Sequence, residues 1–86
     1  MKTRTGFECD IPAERMDSME LLDALAEMED GTITAFPRVL NLLLGSDKKR
    51  LYEHIKGRTG LDRVPLEEVS EEIDAIFEAI GDGAKN

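Results

Sequence analysis

The sequence predicts an all-α fold, a small bundle of about four helices preceded by an extended N-terminal arm or strand available for pairing between subunits. Three observations predict it. Beyond residue 17, apolar residues recur at helical spacing. Capping residues, glycines and prolines bracket those stretches, and only one short segment alternates with period two. The 86 residues suit one domain, with 1–16 as the arm, 17–81 as the helical core and 82–86 as a frayed tail.

In the arm, Thr3, Thr5, Phe7, Cys9 and Ile11 alternate with Arg4, Gly6, Glu8 and Asp10, the pattern of a half-buried strand. No second segment alternates comparably, so a hairpin within the chain is not expected. Two readings stay open. The segment pairs with a second copy or a partner protein, or it lies over the helices with Phe7 in the core.

Pro12 to Met16 is expected to be a connector. Asp17 and Ser18 offer N-cap oxygens, with Glu20 three residues after Asp17 as in a capping box. The first helix follows, turning Leu21, Leu22, Leu25 and Met28 inward until Gly31 stops it. Thr34 is positioned to cap a second helix with Pro37 in its first turn. Phe36, Val39, Leu40, Leu42, Leu43 and Leu44 cover most of its circumference. Gly45 ends that helix. A short third helix carries Lys48, Lys49 and Arg50 in its first turns and Leu51, Tyr52 and Ile55 inward, closed by Gly57 and Gly60. A polar loop, 56–64, leads to Pro65 at the first position of a fourth helix. Its stripe is Leu66, Val69, Ile73, Ile76, Phe77 and Ile80, and Gly81 and Gly83 end it.

A net charge of −8 disfavours general binding to nucleic acid or anionic membranes. The charge is also segmented. Glu8 to Asp30 holds nine acids and one base, Asp47 to Arg63 six bases and three acids, and Val64 to Asn86 seven acids and one base. Such polarity suits self-assembly by charge complementarity, though solvated helix faces explain it too. No apolar run approaches the roughly 18 residues of a membrane span, and the opening residues lack a signal-type apolar region, so a soluble, cytoplasmic protein is expected.

Catalytic, cofactor and metal sites are not expected. Glu67, Glu68, Glu71, Glu72 and Asp74 belong to the outer face of an amphipathic helix, not to a pocket with separated pKa values. His54, the only histidine, has no nucleophile at motif spacing and is assigned to the surface or its boundary. Cys9, the only cysteine, can form neither an internal disulfide nor a Cys/His zinc set, and fits a small buried hydrophobe. Gly57-Arg58-Thr59-Gly60 lacks the frame and lysine of a phosphate loop.

The segments Thr5-Gly6-Phe7-Glu8-Cys9, Met19 to Glu27, Phe36 to Gly45 and Arg63-Val64-Pro65 before an amphipathic helix together resemble a tail assembly chaperone of long-tailed (siphovirus-type) bacteriophages and their prophages. The resemblance spans nearly the whole chain and rests on caps, turns and core positions. It implies a virion assembly protein of the bacterial host cytoplasm. Such a protein binds the tape measure protein, helps recruit tail tube subunits and is absent from the mature virion. In that family a longer product often arises by a −1 ribosomal slip, and its extension recruits the tail tube protein. Ala84-Lys85-Asn86 is compatible with such a slip site, A-AAA-AAC or A-AAA-AAT, if the codons match.

A thin helical domain leaves apolar surface to neighbours, so a homo-oligomer is expected. The partner-binding candidates are Phe36, Leu40, Leu42 and Leu43 of the second helix, with Phe7 and Tyr52. Two other classes compete. A small helix-turn-helix-like DNA-binding regulator would use the turn before Lys48-Lys49-Arg50, with Arg50 alone well placed to read bases. An acidic inhibitor mimicking nucleic acid fits the net charge but not the basic middle segment.

Overall fold

The computed structural model describes residues 1–84. It is all-α, with four helices of ten residues or more and a single preceding helical turn. The helices are α1 (Ala13–Met16), α2 (Met19–Glu29), α3 (Ala35–Leu44), α4 (Lys48–Thr59) and α5 (Leu66–Ala84). A 3-10 turn, Gly45–Asp47, joins α3 to α4. Residue contacts define two compact units. One is Ile11–Lys48; the other joins Met1–Asp10 to the chain from Lys49 onward.

In the unit Ile11–Lys48, the expected connector contains the helical turn α1. Its Arg15 donates from Nη1 to the Leu43 carbonyl at 3.0 Å, satisfying one of the orphan acceptors at the α3 C-terminus with a positive charge. Ser18 is the N-cap of α2 and its hydroxyl accepts from the Leu21 amide at 3.2 Å. The capping box expected from Asp17 does not form, because the cap falls one residue later. Glu20 instead accepts the Ser18 hydroxyl proton at 2.8 Å. The α2 stop is as expected. Gly31, at φ +90°, lets its own amide reach the Met28 carbonyl and the Thr32 amide the Glu27 carbonyl, the paired bonds of a Schellman motif.

The connection to α3 is short, which suits antiparallel packing of α2 on α3. Leu21 and Ala24 of α2 and Ala35, Val39, Leu40, Leu43 and Leu44 of α3 are buried. Leu22, expected inward, is 56% exposed. It lies 100° around the helix from Leu21, and the core selects the Leu21 side. Thr34 occupies the cap position of α3 without a side-chain capping bond. The first amides of α3 donate instead to the Thr32 and Ile33 carbonyls.

The other unit overturns the expectation that no hairpin forms within the chain. Residues 1–9 turn back on themselves: Met1 and Cys9 exchange two backbone hydrogen bonds, 2.9 and 3.0 Å, Lys2 bridges Glu8 antiparallel, and the Thr3 amide donates to the Phe7 carbonyl at 2.9 Å. Gly6, at φ +91°, makes the turn. The period-two pattern is nevertheless real, since Thr3, Phe7 and Cys9 are buried while Lys2, Arg4, Glu8 and Asp10 are exposed.

Leu51 and Ile55 of α4 and Val69, Ile73, Ala75 and Ile76 of α5 complete this unit's apolar core. Helix α4 runs through Gly57 and stops at Gly60, so the following loop is shorter than expected. Pro65 precedes α5 and its carbonyl accepts the Glu68 and Val69 amides. Leu66, expected in the stripe, is 52% exposed. Helix α5 continues through Gly81 and Gly83 to Ala84, where an end and a frayed tail were expected. Glycine stops these helices only where φ turns positive, as at Gly31, Gly45 and Gly60. Lys85 and Asn86, with them most of the expected slip site, lie outside the described residues.

Candidate functional site

The densest polar arrangement forms where the turn of the hairpin meets α4 and α5. Val69, Ile73 and Ile76 set the buried stripe of α5 by i, i+4, i+7 spacing, and Glu72 falls inside that stripe. Its side chain is fully buried, correcting its assignment to the outer face. The spacing from Val69 and to Ile76 carried that signal, but a carboxylate at such a position reads as solvated unless its partners are visible.

Those partners come from far along the chain. The Thr5 hydroxyl donates to Glu72 Oε2 at 2.8 Å. Since that uses its only proton, Thr3 donates to Thr5 across the 3.0 Å between their hydroxyls, while Thr3 accepts from the Phe7 amide at 3.2 Å. A chain of hydrogen bonds thus runs from the hairpin backbone to a buried charge. Arg58 supplies the counter-charge, with Nη2 at 3.1 Å from Glu72 Oε1 and 2.5 Å from Glu68 Oε2. The hydrogen bond that Arg58 donates to Glu68 raises the Arg58 pKa above its ordinary value, and the guanidinium stays protonated. The Arg58 approach to Oε1 is an ion pair without hydrogen-bond alignment, leaving that oxygen with no directed donor.

His54 sits beside this cluster, half-buried at the boundary as expected, with Nε2 at 3.3 Å from the Thr5 hydroxyl and 3.8 Å from Glu72 Oε1. A hydroxyl, an imidazole and a carboxylate are the components of a nucleophile relay, but the wiring differs. A relay needs the carboxylate on one ring nitrogen and the hydroxyl on the other. Here both face Nε2, and the hydroxyl gives its proton to the carboxylate. The arrangement locks the hairpin to the helices. Arg4 reinforces it on the surface by reaching Glu71 at 3.1 Å and Glu78 at 3.5 Å, two turns apart on α5.

Beside the cluster, an open depression of about 580 Å³ is bounded by Gly6, Phe7 and Glu8 of the hairpin and by Lys49, Arg50, Glu53 and His54 of α4. Phe7 is held there between the His54 ring, 5.5 Å between centroids, and the Arg50 guanidinium, 5.4 Å from its centroid. Arg50 also donates to the Glu8 carbonyl at 2.7 Å. Among the described residues, no group of three or more His, Cys, Asp and Glu side chains could hold a metal ion. No helix there is long and apolar enough to cross a membrane.

Of the partner-binding candidates, Phe36, Leu40, Leu42 and Leu43 belong to the unit Ile11–Lys48, and Phe7 and Tyr52 to the other. Phe7, Leu40 and Leu43 are buried, whereas Phe36, Leu42 and Tyr52 are half-buried. The apolar side chains most open to solvent are others: Met19 at 65%, Ile33 at 58% and Leu22 at 56% in the unit Ile11–Lys48. Sequence reading missed Met19 and Ile33, because Met19 lies on the side of α2 opposite Leu21 and Ala24 and Ile33 precedes α3, so neither belongs to a core stripe. No protein family, curated protein or solved structure matches the chain.

Proposed function

We propose that the protein is a tail assembly chaperone of long-tailed bacteriophages or their prophages. It binds the tape measure protein in the host cytoplasm, as a homo-oligomer, and is not retained in the mature virion. A longer frameshifted form brings in the tail tube protein. The observation that carries the reading is the exposure of Met19, Leu22 and Ile33 on one small unit of a strongly acidic chain. A protein of this size gains nothing in stability by presenting large apolar side chains to water, whereas a helix-binding protein needs them. The resemblance carried by Thr5 to Cys9, Met19 to Glu27 and Phe36 to Gly45 supports the choice of client. The wiring of Thr5, His54 and Glu72 favours a binding role over hydrolytic chemistry.

The test is co-expression with the tape measure protein encoded nearby, followed by size-exclusion chromatography with light scattering on the mixture and on the protein alone. A soluble complex with several copies per client is the expected result. A protein that stays monomeric and ignores the client overturns the reading.

A further inference from the structure

Helix α2 has two apolar sides. Leu21 and Ala24 face the core, while Met19, Leu22 and Ala26 are exposed at i, i+3 and i+7. At 100° per residue these three lie within about 60° of one another, opposite the buried side. The stripe therefore has the spacing that seats one face of another helix, about two turns long.

The charges that α2 itself sets around it are of one sign. Asp23 and Glu27, four residues apart, run along one edge, and Glu29 closes the C-terminal end. The sequence of α2, MELLDALAEME, contains no base. Glu27, Glu29 and the C-cap Asp30 crowd negative charge onto the helix end that already carries negative partial charge. Arg38 pairs with Glu27 at 2.9 Å but lies on α3, so α2 itself supplies no compensation. An apolar stripe with an acidic edge and an acidic end is complementary to a helix whose apolar stripe is bordered by Lys or Arg.

We infer that the Met19–Leu22–Ala26 stripe of α2 docks an amphipathic helix of a partner protein, with basic side chains of that helix set against Asp23, Glu27 and Glu29. This rests on the chaperone reading for the identity of the partner, the tape measure protein, but not for the chemistry of the surface.

The probes are two labelled helical peptides with leucine at helical spacing, one flanked by lysine and one by glutamate, titrated into the full chain by fluorescence anisotropy. The lysine-flanked peptide binds the wild type, loses affinity as salt rises, and outcompetes its glutamate-flanked counterpart by at least about ten-fold. Leu22→Lys weakens it by at least about ten-fold with an unchanged thermal melt, since the side chain is exposed. Leu61→Lys, at another exposed leucine, binds as the wild type does. Asp23→Lys shifts preference toward the glutamate-flanked peptide. Equal binding of both peptides by the wild type, or unchanged binding by Leu22→Lys, overturns the inference. So does a wild-type dimer that Leu22→Lys makes monomeric while neither binds peptide, because the stripe is then a self-interface. Co-expression with the tape measure protein separates the two readings. If Leu22→Lys still captures that client, the stripe is wrong and the chaperone stands; if the wild type binds the lysine-flanked peptide yet ignores the client, the stripe stands and the chaperone does not.

Discussion

The Thr5 hydroxyl, at the turn of the N-terminal hairpin, donates across 2.8 Å to Glu72, a fully buried carboxylate 67 residues later. Thr5→Val keeps the shape of the side chain and removes the donor. With an acceptor left buried and charged, the variant should lose about 1–3 kcal/mol of stability in urea denaturation. In the background of Glu72→Gln the same change should cost less, because the two residues share one interaction. Equal costs in both backgrounds would show that the hairpin is held by other contacts.

Two glycine substitutions should move stability in opposite directions. Gly45 sits at φ +56° and ψ −124°, and a Cβ there would meet the Arg15 guanidinium at 3.1 Å. Gly45→Ala should destabilise by roughly 1–3 kcal/mol. Gly57 lies inside α4 with open space around it and no positive φ, so Gly57→Ala should stabilise by about 0.5–1 kcal/mol. Paired thermal melts decide it, and a stabilised Gly45→Ala would refute the role given to Arg15.

The start of α2 sets a pH dependence. The hydrogen bond from Ser18 lowers the Glu20 pKa below its ordinary 4.5. A carboxylate whose pKa falls on folding stabilises the fold above its unfolded pKa, and that contribution is lost as pH drops through the folded value. Carbon-detected titration should place the Glu20 midpoint lower in the wild type than in Ser18→Ala. Ser18→Ala should also cost about 1 kcal/mol at neutral pH through the lost cap. A midpoint unmoved by the substitution would remove Ser18 as the cause.

Leu40 and Leu42 separate packing from binding on α3. Leu40 is 1% exposed, so Leu40→Ala should cost about 2–5 kcal/mol and Leu40→Glu should abolish cooperative unfolding. Leu42 is half-buried, and Leu42→Glu should fold, by circular dichroism, while losing self-association or client binding. Loss of the fold in Leu42→Glu would return that residue to the core.

By itself the sequence determined the helical class, the order of the four long helices, and the stops at Gly31, Gly45 and Gly60. Those signals act within a turn or two, through caps, periodicity and the freedom of glycine to take positive φ. It also carried the alternation of Thr3, Phe7 and Cys9. What that alternation paired with was decided by the tertiary structure, since pairing depends on residues that a local pattern does not contain. Tertiary packing likewise left Gly57 and Gly81 inside helices, turned Leu22 outward beside a buried Leu21, and buried Glu72. Burial is a property of what arrives from elsewhere in the chain. A carboxylate can sit in an apolar stripe only when a hydroxyl from the hairpin and a guanidinium from α4 reach it, and neither Thr5 nor Arg58 announces that from its own neighbours.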